Sequence, residues 1–313
     1  MNKATQRILA LAFAVCIGGT AFASGLNSNR DTELRPTGKG YGENDENAAA
    51  EGRSPKGFAR GPARSNAITY HNGPVMIGTT NIYYIWYGNW SGNTATTILT
   101  KLMQGFTGSG IYNTNTSYYN GASVHVLNSV NFVQAINDNY SLGKSLTDAN
   151  IKSIVSNAIT NGSLPKDSNA VYFVLTSADV KETSGFGSQY CGWHTHGTIS
   201  SSDIKYAFVG DASTQAPTGC IAVTAAKAPN GNMGADGMAS VIFHELSETV
   251  TDPDLNAWYD RQGNENGDKC AWNFGTTYTT ASGKTANVSL GGNDYLLQQN
   301  WVNSGSGFCA LSY

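Results

Sequence analysis

From Ile68 onward the chain alternates apolar blocks with polar, glycine-containing breaks. Ile82-Tyr83-Tyr84-Ile85-Trp86-Tyr87 is a continuous aromatic and β-branched run closed by Gly88-Asn89, which predicts a buried strand. Ala170 to Leu175 predicts a central strand, and Tyr206 to Val209 and Ile221 to Val223 predict shorter ones. Between them the period changes. Thr97 to Phe106 sets Ile98, Leu99, Leu102, Met103 and Phe106 along one stripe, the pattern of an amphipathic helix. A second helix is predicted over Asp148 to Ile159, with Thr147 as N-cap and Ile151, Ile154, Val155 and Ala158 facing inward. A third is predicted over Met238 to Val250, which Pro253 prevents from continuing. Strands alternating with helices predict an α/β fold, a mixed sheet covered by helices. No second polar linker and no internal repeat interrupts residues 68–313, which predicts a single domain with a loop-rich C-terminal part.

The N-terminal segments read differently. Residues 1–23 have a basic start at Lys3 and Arg7, an apolar stretch from Ile8 to Ile17, and Ala21-Phe22-Ala23 as a small-residue cleavage site, which predicts a secretory signal peptide. The apolar stretch breaks at Gly18-Gly19 and falls short of the roughly 20 residues that span a bilayer, so no membrane span is expected. Residues 24–67 mix Arg30, Asp31, Glu33, Arg35, Glu43, Asp45 and Glu46 with little to bury, and predict a flexible polar leader.

Composition then narrows the partners. Charged residues make up 13% of the chain and the net charge is -3, so no basic field exists to hold nucleic acid. Of five cysteines, Cys16 would leave with the signal peptide. The remaining Cys191, Cys220, Cys270 and Cys309 predict two disulfides in an exported protein, with three connectivities open. Pairing Cys191 with Cys220 and Cys270 with Cys309 closes loops of moderate length and is the favoured arrangement. The expected setting is secreted or in the cell envelope.

Candidate chemistry concentrates on the third helix. In His244-Glu245-Leu246-Ser247-Glu248, His244 and Glu248 are four residues apart and share a helix face, with Glu245 beside them. This is the H-E-x-x-H arrangement of zinc peptidases with Glu in place of the second His, and it makes a zincin-like fold one expectation. The donor set suits a divalent metal, zinc first, with calcium or manganese admitted by the extra oxygen ligand. A third ligand must come from the carboxylates that follow: Asp252, Asp254, Asp260, Glu265 and Asp268. Asp254, ten residues after His244, sits at the spacing of the third ligand in one class of such enzymes, and Glu265 suits another class. His194 and His196 alternate, so on a strand both face one way and form a second candidate pair, although beside a disulfide they read as surface residues. No G-x-S-x-G elbow and no phosphate-binding G-x-x-x-x-G-K-[ST] loop is present. Sixteen Tyr and six Trp also admit a sugar-stacking surface, with Trp86, Tyr87 and Trp90 as either platform or core.

Several stretches together resemble the EXORDIUM, or phosphate-induced protein 1, family: Tyr70-His71-Asn72-Gly73-Pro74-Val75 leading into Ile85-Trp86-Tyr87-Gly88, then Val174 to Val180, Asp236-Gly237-Met238 running into His244-Glu245-Leu246, and Asn256-Ala257-Trp258-Tyr259 with Glu265, Asp268 and Cys270. The resemblance covers residues 68–313. It implies a secreted mediator of growth responses without an assigned reaction. Plant members lack an Asp at the position of Asp254, so the resemblance implies Glu265 as third ligand, with Asp268 as neighbour or alternate. Two readings follow. In the first, His244, Glu248, Glu265 and Asp268 hold a metal and Glu245 acts as base in hydrolysis of a peptide or extracellular polymer. In the second, the protein is a non-catalytic cell-wall or carbohydrate-binding or growth-signalling protein.

Overall fold

A six-stranded sheet organises the computed structural model, which describes residues 35–37 and 67–313. In chain order its strands are β1 (Arg35–Thr37), β2 (Thr80–Tyr87), β3 (Val130–Asp138), β4 (Ala170–Thr176), β5 (Tyr190–Ile199) and β6 (Ser202–Gly210). Across the sheet the order is β1-β5-β6-β4-β2-β3. β6, β4, β2 and β3 run parallel; β5 turns back against β6 and pairs in parallel with β1. β1 lies within the stretch read as a leader, and the predicted signal peptide lies outside the described residues.

Helices α1 (Ala95–Gln104), α2 (Gly110–Asn113), α3 (Asp148–Thr160) and α4 (Met233–Thr251) accompany the sheet. α1 buries Ile98, Leu99, Leu102 and Met103, side chains that each contribute roughly 1.5–3 kcal/mol by leaving water. α3 starts where Thr147 predicts: its hydroxyl accepts from Asn150 N–H, and the Asn150 side chain accepts from Thr147 N–H, a reciprocal cap.

β5 shows how the faces divide. A Cβ on Gly192 would meet Val241 of α4, whereas one on Gly197 would meet Lys152 of α3. These positions differ by an odd number, so α4 and α3 cover opposite faces. Gly192, His194 and His196 therefore share the α4 face. Coverage on both sides explains the unbroken apolar runs of β2 and β4, buried along nearly their whole length. Trp86, Tyr87 and Trp90 are core residues, which removes them as a stacking platform.

Three expectations change. β3 is absent from the sequence reading, and β5 enters it only through the alternation of His194 with His196. β3 is a half-exposed edge strand in which Val133 forms a bulge between the pairs at Ile82 and Tyr83. Ile221 to Val223 is bent loop, not strand. α4 begins five residues earlier than predicted, because Asn232 accepts from Ala235 N–H and caps it there. Beyond α4 the chain forms short hairpins tied by Cys270–Cys309, and Cys191–Cys220 is the other disulfide, with Cα separations of 5.7 and 5.4 Å.

Candidate metal centre

α4 is buried almost all round, so its polar residues lie in the interior. His244, Glu245 and Glu248 are fully buried between β5 and the C-terminal loops. Packing that close to the strand requires a glycine: a Cβ at Gly192 would lie 2.6 Å from Val241 and 3.2 Å from Glu245 Oε1.

Glu248 is the centre of the arrangement. Its Oε1 lies 2.9 Å from His244 Nε2 and accepts from Asp268 N–H at 3.1 Å. Its Oε2 lies 3.7 Å from His194 Nε2 and accepts no hydrogen bond among the described residues. His194 Nε2 also lies 2.8 Å from Glu265 Oε2. Asp268 Oδ1 is 3.8 Å from His244 Nε2, and Asp268 Oδ2 accepts from Glu265 N–H. Behind His244, the Gln298 side-chain amide meets Nδ1 and also donates to Gly267 O at 3.2 Å.

Two overlapping groups bring their ligand atoms within 4.8 Å of one another: His194, Glu245 and Glu248, and His244, Glu248 and Asp268. The expected ligands thus divide. His244, Glu248 and Asp268 come together, but Glu265 is directed to His194. His194 is fully buried, not at the surface, and completes a site for which its sequence neighbourhood offered only the alternation with His196. Asp254 is carried away by the turn after α4. It lies 3.6 Å from His196 Nδ1 and 3.5 Å from Lys205 Nζ, in a separate cluster with Asp203 near the surface.

The electrostatics are demanding. Five carboxylates, of Glu245, Glu248, Asp252, Glu265 and Asp268, face two imidazoles in an interior where an uncompensated charge costs several kcal/mol. Burial, then the charges of Asp252 and Glu248, holds the Glu265 carboxyl well above the usual carboxylate range. For His244, burial acts to lower the pKa, yet the Glu248 carboxylate prevails and raises it. Burial beside Glu248 and Glu265 also raises the Tyr118 phenol. A divalent cation would relieve this excess, and two imidazoles among carboxylates suit Zn²⁺ or Mn²⁺ better than the all-oxygen preference of Ca²⁺.

A buried amide network carries the C-terminal loops onto the same helix. Asn266 donates to Ser247 O and Thr251 Oγ1, both at 3.1 Å, and Asn300 donates to Asn115 Oδ1 at 2.8 Å. These bonds place Glu265 and Asp268 against α4, and Asn266, Asn300 and Asn115 gave no sign of it in sequence.

Fold and site define an α/β domain with a histidine–carboxylate cluster sealed beneath loops that a disulfide closes. The model of the phosphate-induced protein 1 conserved region matches residues 68–298, a span that contains every residue of the cluster. The chain is 33% identical to Protein EXORDIUM-like 3 of Arabidopsis thaliana over 271 residues, covering 75% of this chain and 80% of the relative. It is 30% identical to Protein EXORDIUM of the same plant, covering 66% and 71%, and 28% identical to Protein PHOSPHATE-INDUCED 1 of Nicotiana tabacum, covering 61% and 67%. The chain belongs to the EXORDIUM, or phosphate-induced protein 1, family. No solved structure matches it, so no zincin neighbour supports the zincin-like expectation. Among the described residues no helix is long and apolar enough to cross a membrane.

Proposed function

We propose that this protein is a non-catalytic extracellular recognition protein of the growth-related EXORDIUM family, whose histidine–carboxylate cluster holds a divalent cation as a structural brace. The observation that carries the brace is closure: His194, His244, Glu245, Glu248 and Glu265 are each 0% exposed. A hydrolytic metal keeps one coordination position open to water and substrate, whereas a structural metal is closed by protein ligands. Glu245 sits among the ligand candidates on the inner side of α4, where no polymer chain reaches it. The two disulfides and the family names support the extracellular setting.

The cation would draw on Glu248 as shared ligand, with the imidazoles of His194 and His244 and the carboxylate of Asp268 around it. Bound there, it would tie β5, α4 and the C-terminal loops together. Elemental analysis of purified mature protein tests this, with Glu248→Gln as the informative variant because Glu248 belongs to both groups. The expected result is stoichiometric Zn or Mn in the wild type and its loss in the variant. A chelator should lower the wild-type melting temperature by roughly 8–16 °C. That figure follows from about 4 kcal/mol of linkage at a thousandfold excess over Kd and about 2–4 °C per kcal/mol for a domain of this size. Wild-type protein without stoichiometric metal, or a melting temperature indifferent to chelator, overturns the proposal.

A further inference from the structure

Away from the cluster, the edge of the sheet at β2 and β3 and the C-terminal half of α3 flank an open groove of about 480 Å³. The volume falls within the range of small-ligand sites. The groove has an apolar floor of Ile85, Ile136, Ile154 and Ala158. Three asparagines stand along it: Asn139 just past the end of β3, and Asn157 and Asn161 from the end of α3.

The lining excludes several ligand classes. It contains no lysine, arginine or histidine, so an anion finds no counter-charge. Its single carboxylate, Asp138, is already engaged, accepting from Ser141 N–H at 2.8 Å and Ser141 Oγ at 2.7 Å, which leaves little for a cation. A wholly apolar ligand would strip water from the amides and give nothing back. Asn161 Oδ1 caps Ser163 N–H, but Asn139 and Asn157 are exposed, and among the described residues their side-chain amides make no hydrogen bond within the protein.

An amide offers a donor and an acceptor side by side, which matches the donor-acceptor pair of adjacent hydroxyls. An apolar floor beneath such amides matches the C–H face of a sugar ring. We infer that this groove binds a neutral oligosaccharide. The site replaces the buried aromatics as the sugar-binding surface, gives the recognition reading its ligand class, and rests on that reading.

The test is a printed array carrying neutral β-glucan, xylan and mannan oligosaccharides beside anionic galacturonan oligosaccharides, followed by calorimetric titration with a captured glycan. The probes are the wild type and the double variant Asn139→Ala/Asn157→Ala, whose exposed positions leave the fold intact by circular dichroism and melting temperature. The expected result is capture of a neutral glycan by the wild type and a Kd at least tenfold weaker in the double variant. A captured neutral glycan that the double variant binds unchanged refutes the groove while leaving extracellular recognition in place. Capture of galacturonan alone also refutes the groove, and an array with no captured glycan refutes the groove and withdraws this support for recognition. Metal content, measured on the same preparations, reports on the cluster independently.

Discussion

Gly267→Ala is the sharpest probe of how tightly the cluster is held. Gly267 has φ -68° and ψ -44°, backbone angles that alanine adopts without strain. In an open position the change would stabilise the fold by about 0.4–1 kcal/mol, because it restricts the unfolded chain. Here the added Cβ would stand 2.9 Å from Cε1, Cγ and Nδ1 of His244. The ring cannot swing clear: it is fully buried, with Glu248 on one side and Gln298 on the other. Overpacking of this kind costs about 1–3 kcal/mol, so the sign of the effect reverses. At about 2–4 °C per kcal/mol, thermal unfolding should show a melting temperature lowered by roughly 2–12 °C. In a His244→Ala background the obstructing ring is gone and the penalty should disappear, giving a coupling energy of about 1–3 kcal/mol. A Gly267→Ala protein as stable as the wild type, or more so, would show that the packing around His244 is loose and that the cluster is not a rigid brace.

Two further outcomes follow from the same structure. Removing Cys191–Cys220 or Cys270–Cys309 by paired Cys→Ser changes frees loops of 29 and 39 residues, and should cost about 3.5–4 kcal/mol each, the longer loop slightly more, read from urea midpoints; equal stability with and without the bridges contradicts the loop-closure account. Burial raises the Asp236 carboxyl from 3.8 to about 6. The native state therefore binds this proton more tightly than the unfolded chain, so its stabilising contribution is complete below pH 3.8 and lost as pH rises through about 6, an effect of about 3 kcal/mol at most. The Asn230 donors, which favour the ionised form, already oppose burial within that value. The stability difference between wild type and Asp236→Ala should accordingly shift across pH 4–6, and a flat difference would refute the assignment.

The cluster also explains why a peptidase-like motif need not make a peptidase. The spacing of His244 and Glu248 guarantees that the two side chains share a helix face, but it does not say whether that face meets a cleft or the interior. Here α4 is enclosed by β5 and the C-terminal loops, and the residue that the motif casts as a base stands among the ligand candidates. Under the proposed reading, recognition falls to surfaces elsewhere, such as the groove beside α3.

Local rules carried much of the architecture. The apolar runs of β2 and β4, the stripe of α1, the Thr147 cap of α3 and the His244–Glu248 pair were all legible, because each depends on near neighbours and a fixed period. The α/β class and the favoured disulfide pairing followed from the same reading. What escaped it depends on contacts distant in sequence. β5 is covered on both faces, so His194, Thr195 and His196 break no rule that a strand must obey, while the bulge at Val133 scrambles the alternation of β3. The ligand set illustrates the same limit. Chain distance made Asp254 attractive and His194 remote, but the turn after α4 carries Asp254 to His196, and sheet pairing sets His194 opposite Glu248, 3.7 Å away. Sequence determined which side chains lie on α4; only the packing of that helix against β5 and the amide-tied C-terminal loops decided which of them meet, because burial and side-chain approach are properties of separate elements brought together, not of local spacing.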